Sequence, residues 1–270
     1  MTHELAIIGA GVMAEAIARG IVSAGTLKPA QIVAADLSPE RRELFNSTLH
    51  INAVENGAQA AAGARIVLLS VKPYQMEEVL RGLSPAMEEQ SLVISIAAGI
   101  SSAFIEKTLG RGKRWRVVRA MPNMPMLAGC GMVAIAPGAN AGKDDLAAAR
   151  KLFESGAKVL ELGEEKIDAV TAISGSGPAY FFFLAEQMIQ AGIEMGLSAE
   201  EARTLAIQTA AGAAKIMSGS DDSPASQRRL VTTPNGTTHA AISQMEKENW
   251  PRITIDAMKA AQRRSREMGK

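Results

Sequence analysis

The chain has a single cysteine, Cys130, in 270 residues, which excludes an internal disulfide framework and a cysteine-rich zinc site. It has no dominant charge: 29 Lys and Arg stand against 28 Asp and Glu, so no broad field favours nucleic acid or an anionic membrane. No uninterrupted apolar stretch reaches about 18 residues, so no transmembrane helix is expected. No basic and apolar leader precedes the first strand, and a cytoplasmic location is expected. Internal repeats and low-complexity tracts are missing. Of the three histidines, His3 opens the chain, His50 falls in a loop and His239 on a helix, none within a partner motif, and no metal site is expected. A small-molecule partner and a chain long enough for two ordinary domains are what remain.

What is present is organised around Leu5 to Gly20, LAIIGAGVMAEAIARG. Leu5 to Ile8 is a short apolar run of the kind buried in a parallel sheet, and Gly9 to Ala14 reads GxGxxA. Gly9 suits the tight turn off the strand, Gly11 lets backbone approach a pyrophosphate, and Ala14 lets the helix sit close to the strand. The pyrophosphate would meet unpaired N–H groups at the helix start. A second strand, Gln31 to Ala35, ends at Asp36, where an acid can accept hydrogen bonds from a ribose 2′-hydroxyl and favour NAD. Arg41 and Arg42 could instead meet the 2′-phosphate of NADP, or Asp36 could open a turn with Ser38-Pro39 while the arginines form a solvated helix face.

Further strands are expected at Arg65 to Val71, Leu92 to Ala97 and Trp115 to Ala120, running into Lys72-Pro73, Ala98-Gly99 and Met121-Pro122-Asn123. In an open parallel sheet the ligand lies beyond the carboxyl ends of the strands, so these loops should line a nicotinamide pocket. Met132 to Ala136 and Lys158 to Leu162 are expected strands around a helix near Asp144 to Glu154. The fold class is therefore α/β: a Rossmann-type doubly wound parallel sheet over residues 1–163, then an all-helical domain over 164–270. Tyr180 to Met195 has its polar residues, Glu186, Gln187, Gln190 and Glu194, on one helical side and is otherwise mostly apolar. About one hundred residues of helix cannot easily cover it, so a homodimer packed across a two-fold axis is expected. Ser198 and Glu201 form a capping box ahead of an Ala- and Gly-rich helix.

Two stretches interrupt the helical half. Ile173 to Tyr180, ISGSGPAY, reads as the end of one helix and the start of the next, with Pro178 in the first turn. Thr232 to Ala240, TTPNGTTHA, reads as a turn opening a helix; N–H groups around Gly236 to Thr238 with two hydroxyls would make an anion site, or one threonine is simply an N-cap.

Taken in order, GAGVMAEAIARG, SVKP, SIAAG, RAMPNMP, ISGSGPAY and TTPNGTT resemble pyrroline-5-carboxylate reductase over almost the whole chain. The resemblance implies a Rossmann domain for NADPH or NADH, an interleaved helical homodimer that can assemble into a ring such as a decamer, and the substrate 1-pyrroline-5-carboxylate. It further implies that Gly9, Ala10, Gly11, Val12 and Met13 contact the pyrophosphate region. Asn56, Val71, Lys72 and Pro73 would line the ribose and cofactor edge, while Ala97, Ala98, Gly99, Met121, Pro122 and Asn123 would frame the nicotinamide. Thr233, Asn235, Gly236, Thr237 and Thr238 would form the substrate loop, with Thr238 nearest the ring nitrogen as the catalytic hydroxyl.

The chain departs from the commonest family pattern at Val12 (usually Asn), Met124 (Thr), Thr233 (Ser) and Asn235 (Gly). A β-hydroxyacid dehydrogenase would also join a Rossmann domain to helices, but it needs a lysine early in the second domain. Ile167 to Ala214 contains neither Lys nor His. The third reading, a binding scaffold without turnover, has no use for the GTT loop.

Overall fold

The computed structural model describes residues 3–110 and 112–268. Its first half alternates strands and helices: β1 (His3–Ile8), α1 (Val12–Ser23), β2 (Ile32–Ala35), α2 (Pro39–Thr48), β3 (Asn52–Val54), α3 (Gly57–Ala61), β4 (Ala64–Leu69) and α4 (Met76–Leu83). Then come β5 (Leu92–Ser95), α5 (Ser102–Leu109), β6 (Arg116–Met121), β7 (Gly131–Pro137), α6 (Lys143–Phe153) and β8 (Ala157–Glu161). The eight strands form one sheet in the order β3-β2-β1-β4-β5-β6-β7-β8, with the reversal of direction at β1 and β4.

The apolar runs are continuous because both sheet faces are covered. Leu5 and Ile7 of β1 join Ile17, Ile21, Phe45 and Phe153 on one face. Ala6 and Ile8 join Val67, Leu69, Met76, Leu80 and Trp115 on the other. Trp115 is fully buried and its indole N–H donates to the Gly110 carbonyl at 2.9 Å, so the ring buries no unpaired polar atom.

Two details differ from the sequence reading. The sheet is mostly parallel, since β7 pairs antiparallel with β6 and β8 follows β7 in parallel. Residues between β6 and β7 hold only a short 3₁₀ turn, Met124–Ala128, too little for the crossover a parallel neighbour needs. The three-residue strand β3 escaped notice because it is too short to show periodicity.

The remainder is helical: α7 (Ile167–Val170), α8 (Gly177–Glu194), α9 (Ala199–Ser218), α10 (Pro224–Leu230), α11 (Thr237–Lys247) and α12 (Trp250–Met268). Ile173 to Gly175 of the ISGSG stretch belong to a π-helical turn, Thr171–Gly175, with the Ser176 N–H reaching the Thr171 carbonyl at 2.8 Å. Pro178 has no N–H to offer the Ser174 carbonyl four residues back. The Asn123 side-chain amide takes its place, donating to Ser174 O at 3.1 Å while its Oδ1 accepts from Met132 N at 2.9 Å.

Contacts divide the chain into two compact units, one running to Ser176 and including residues from Ala261 onward, the other Gly177–Ala260. This division falls later than Gly163. Within the first unit the Ser265 hydroxyl donates to Asp168 Oδ1 at 2.7 Å, bringing the last turns of α12 into it.

The second unit has little core of its own. In α8 only Gly177 and Gly192 are buried, in α9 only Ala202 and Ala206, and in α10 and α11 none among the described residues. Gly192 lets α8 and α9 approach closely, since a Cβ there would lie 2.8 Å from that of Ala202. Phe181, Phe182 and Phe183 are each more than half exposed. The Ser198–Glu201 box is formed, with Glu201 N donating to Ser198 Oγ (3.2 Å) and Ser198 N to Glu201 Oε2 (2.8 Å). No helix among the described residues is long and apolar enough to cross a membrane.

Asn123 is 8 % exposed and satisfies two backbone groups from different segments. Asn123→Ala is expected to lower unfolding free energy by about 2 kcal/mol through the groups left unpaired. Urea titration measures this, and an unchanged midpoint would contradict the brace.

Candidate active site

β1 leaves the sheet at Gly9, whose φ of 92° is open to glycine without strain and whose Cβ would sit 2.9 Å from the Ser70 backbone. Its N–H donates to the Ala35 carbonyl at 2.8 Å, and Ser70 N donates to Ile8 O at 2.8 Å. The turn is thus pinned between the ends of β2 and β4. Gly11 is the N-cap of α1 with no side-chain capping bond, and the first intrahelical bond runs from Glu15 N to Gly11 O. The N–H groups of Val12, Met13 and Ala14 therefore have no intrahelical acceptor. A Cβ at Gly11 would meet nothing within 4 Å, so that side of the turn is open.

A cleft of about 710 Å³ lies against it, lined by Gly9, Gly11, Asp36, Leu37, Glu55, Asn56, Val71 and Lys72 among others. Open backbone at Gly11, uncapped N–H groups and an acid at the end of β2 fit a dinucleotide pyrophosphate and ribose. Ala10 is buried beneath the turn, whereas Val12 is exposed at the helix start. Met13 packs partly buried against the core, and Pro73 opens a 3₁₀ turn, Pro73–Gln75.

Asp36 opens the turn into Ser38-Pro39. Its Oδ2 accepts from Ala10 N at 2.7 Å and its Oδ1 from Ser38 N at 2.9 Å, while Ser38 caps α2. Arg41 donates to Ala10 O (2.5 Å) and to Glu15 Oε2 (2.9 Å). Arg42 donates to the carbonyls of Asp36 and Leu37, both at 2.8 Å. Burial works against the Glu15 charge, but hydrogen bonds from Arg19 and Arg41 overcome it and hold the carboxyl below its ordinary range. Asn56 caps α3, its Oδ1 accepting from Ala58 N and Gln59 N. Sequence reasoning missed Leu37, Glu55 and Glu78 in the lining; Glu55 follows the short β3, and no motif marks it.

Ala97, Ala98 and Gly99 follow β5, and Met121, Pro122 and Asn123 end β6; none of these six lines the cleft just described. A buried cluster braces the two loops. Glu164 accepts from Ser102 N (2.7 Å), the Ser102 hydroxyl (2.5 Å) and Arg119 Nη1 (3.2 Å). Nearby, partial burial foremost and the Glu164 charge in addition push the Glu106 carboxyl upward against a hydrogen bond from Ala139. Asn123 bonds Ser174 and Met132 through its amide and Met126 N through its main-chain carbonyl (3.2 Å), so its contacts brace the loop.

In the second unit, Asn235 turns the chain with φ 61°, a conformation asparagine tolerates. Gly236 N donates to Thr233 O (3.0 Å), and Gly236 itself is the N-cap of α11, so a threonine N-cap is ruled out. The first bond of α11 runs from Ala240 N to Gly236 O (3.1 Å), leaving the N–H groups of Thr237, Thr238 and His239 without intrahelical acceptors. Neither Thr237 nor Thr238 has a hydroxyl partner among the described residues; Thr237 is exposed and Thr238 half-buried. The result is a polar, anion-accepting helix start.

A glycine turn held over a mostly parallel sheet, with this cleft at its strand ends, defines the class of dinucleotide-binding oxidoreductases. Residues 4–99 match the family model described as NADP oxidoreductase, coenzyme F420-dependent, and residues 164–268 that described as pyrroline-5-carboxylate reductase dimerisation. The chain belongs to the pyrroline-5-carboxylate reductase family. It is 42% identical to the pyrroline-5-carboxylate reductase of Pseudomonas aeruginosa over 99% of this chain and 97% of that protein. Among solved structures it resembles a pyrroline-5-carboxylate reductase from Coxiella burnetii, at 33% identity and TM-score 0.90 over all of both chains. It also resembles pyrroline carboxylate reductase of Plasmodium falciparum with NADP bound, at 29% identity and TM-score 0.88 over 99% of this chain and 98% of that one.

The two glycines of the turn are separable by experiment. Gly9→Ala should destabilise the fold by about 2 kcal/mol or more, because strain and backbone contact coincide there. Gly11→Ala should leave the melting temperature within about 2 °C of the parent yet weaken dinucleotide binding about tenfold or more, because its methyl enters the open side. Equal thermal losses in both variants would refute that division.

Proposed function

We propose that this chain reduces the C=N bond of 1-pyrroline-5-carboxylate to give L-proline, the last step of proline biosynthesis, using NADPH or NADH. The observation that carries the substrate assignment is the start of α11, with uncapped N–H groups and two unpartnered hydroxyls suited to a small carboxylate. Family membership and the dinucleotide cleft supply the rest.

In this reading residues 1–163 form the cofactor domain and 164–270 the dimerisation and substrate domain. The backbone of Gly9, Ala10, Gly11, Val12 and Met13 holds the pyrophosphate, and Asp36 accepts ribose hydroxyls. Asn56, Val71, Lys72 and Pro73 line the ribose and cofactor edge, while Ala97, Ala98, Gly99, Met121, Pro122 and Asn123 frame the nicotinamide ring. Thr233, Asn235 and Gly236 shape the loop whose Thr237 and Thr238 N–H groups grip the substrate carboxylate, and the Thr238 hydroxyl hydrogen-bonds the ring nitrogen. The bound reduced cofactor supplies the hydride to the imine carbon. A cyclic imine can arrive already protonated, so the chain needs no strong acid: it holds the proton at nitrogen and aligns the two reactants, where proximity yields most of the rate.

A homodimer covers the exposed apolar side of α8, including Phe181 to Phe183, and dimers could stack into a ring such as a decamer. Balanced charge and a small-molecule substrate suit a cytoplasmic enzyme that engages neither nucleic acid nor membrane.

Cofactor oxidation followed at 340 nm with pyrroline-5-carboxylate tests the activity; a well-folded protein that binds cofactor without turnover would favour the scaffold reading. Thr238→Ala is expected to lower kcat/KM about 10- to 100-fold, the worth of one hydrogen bond in the transition state, with cofactor Kd unchanged. An unaltered kcat/KM would remove Thr238 from the mechanism. Light scattering at micromolar concentration should give at least a dimer; a monomer mass would refute the shared interface.

A further inference from the structure

We propose that the ribose corner of the cleft selects NADH over NADPH, with Asp36 and Glu55 as the deciding residues. The inference rests on the proposed dinucleotide role of this cleft. It goes further than the family descriptions, in which NADP is the cofactor named.

The two cofactors differ at one group. A 2′-hydroxyl both donates and accepts, whereas a 2′-phosphate brings close to two negative charges and only acceptor oxygens near neutral pH. Its partners must be cations or free N–H or O–H donors.

At this corner the charged donors are already engaged. Asp36 ends β2, and its main-chain N–H is bound to Val54 O at 3.1 Å, so Glu55, the residue after Val54, flanks it. The Ser38 N–H, a natural phosphate donor at the start of α2, is already taken by Asp36 Oδ1 at 2.9 Å. Asp36 Oδ2 is taken by Ala10 N, but a carboxylate has about four lone-pair sites, so acceptors for two ribose hydroxyls remain.

The cations are spent elsewhere. Arg41 is tied to Ala10 O and Glu15, and its side chain does not line the cleft. Arg42 donates to the Asp36 and Leu37 carbonyls, and its other nitrogen lies 3.4 Å from Glu55. Lys72 is the only Lys or Arg in the cleft lining, against Asp36, Glu55 and Glu78. It follows β4, on the far side of β1 from β2, two strand spacings or about 10 Å away. A 2′-phosphate would therefore face two carboxylates at short range, with the Arg42 guanidinium beside them already bound to two backbone carbonyls and paired with Glu55.

Isothermal titration of the intact protein with NADH and with NADPH tests this. The expected result is a Kd for NADH at least about tenfold below that for NADPH, a gap that narrows as added salt screens the corner. Equal affinities, or tighter NADPH binding, would overturn the inference. Asp36→Ser should bring the two constants together; because Asp36 also holds Ala10 and Ser38, Glu55→Gln serves as the independent variant. The Glu55 side chain is 70% exposed and pairs with Arg42, which the substitution releases toward the phosphate. A ratio unmoved in both variants would remove these residues from selectivity and overturn the proposal. Binding of neither cofactor would overturn the dinucleotide reading and this inference with it. The expected ratio without pyrroline-5-carboxylate turnover would sink the proposed activity and leave the selectivity standing.

Discussion

The structure depends on the turn at Gly9 being held level between its two neighbours in the sheet. Gly9 N is tied to Ala35 O on one side, Ser70 N to Ile8 O on the other, and Asp36 reaches across to Ala10 N. Only with the turn fixed from both strands do the uncapped N–H groups of α1 stay aimed at one place, which an anion can then occupy without reorganisation. The buried alternation below it, Leu5 and Ile7 to one face and Ala6 and Ile8 to the other, fixes the height of that turn relative to the sheet.

The two units solve burial in different ways. The first closes two cores around its own sheet, while α8 and α9 bury small residues against each other and leave large apolar side chains outside. Close approach through Gly192 and Ala202 fits a helix pair that spends its broad faces on another copy of the chain. The match of residues 164–268 to a dimerisation model accords with that arrangement.

Much of this was legible in the residues. Strands of the first half announced themselves because a covered parallel strand must be apolar throughout, and the glycine turn because only its residue types permit its geometry. The capping box at Ser198 was readable for the same local reason. What stayed hidden was set by distant partners: β3, with three residues, carries no period. The π-helical turn is an answer to Pro178 completed by Asn123, some fifty positions earlier in the chain, which the motif RAMPNMP does not reveal. Likewise the duties of Arg41 and Arg42 depend on Glu15 and on carbonyls from other segments, so the residues alone left a phosphate partner and a solvated helix face both open.

The return of the last turns of α12 to the first unit, through Ser265 and Asp168, has a consequence for biogenesis. Synthesis delivers the sheet first, yet the piece that completes this unit follows only after the intervening helices. The sheet unit therefore waits with one seam unclosed until α12 has emerged, and a lesion at Ser265 would injure the portion of the protein made earlier.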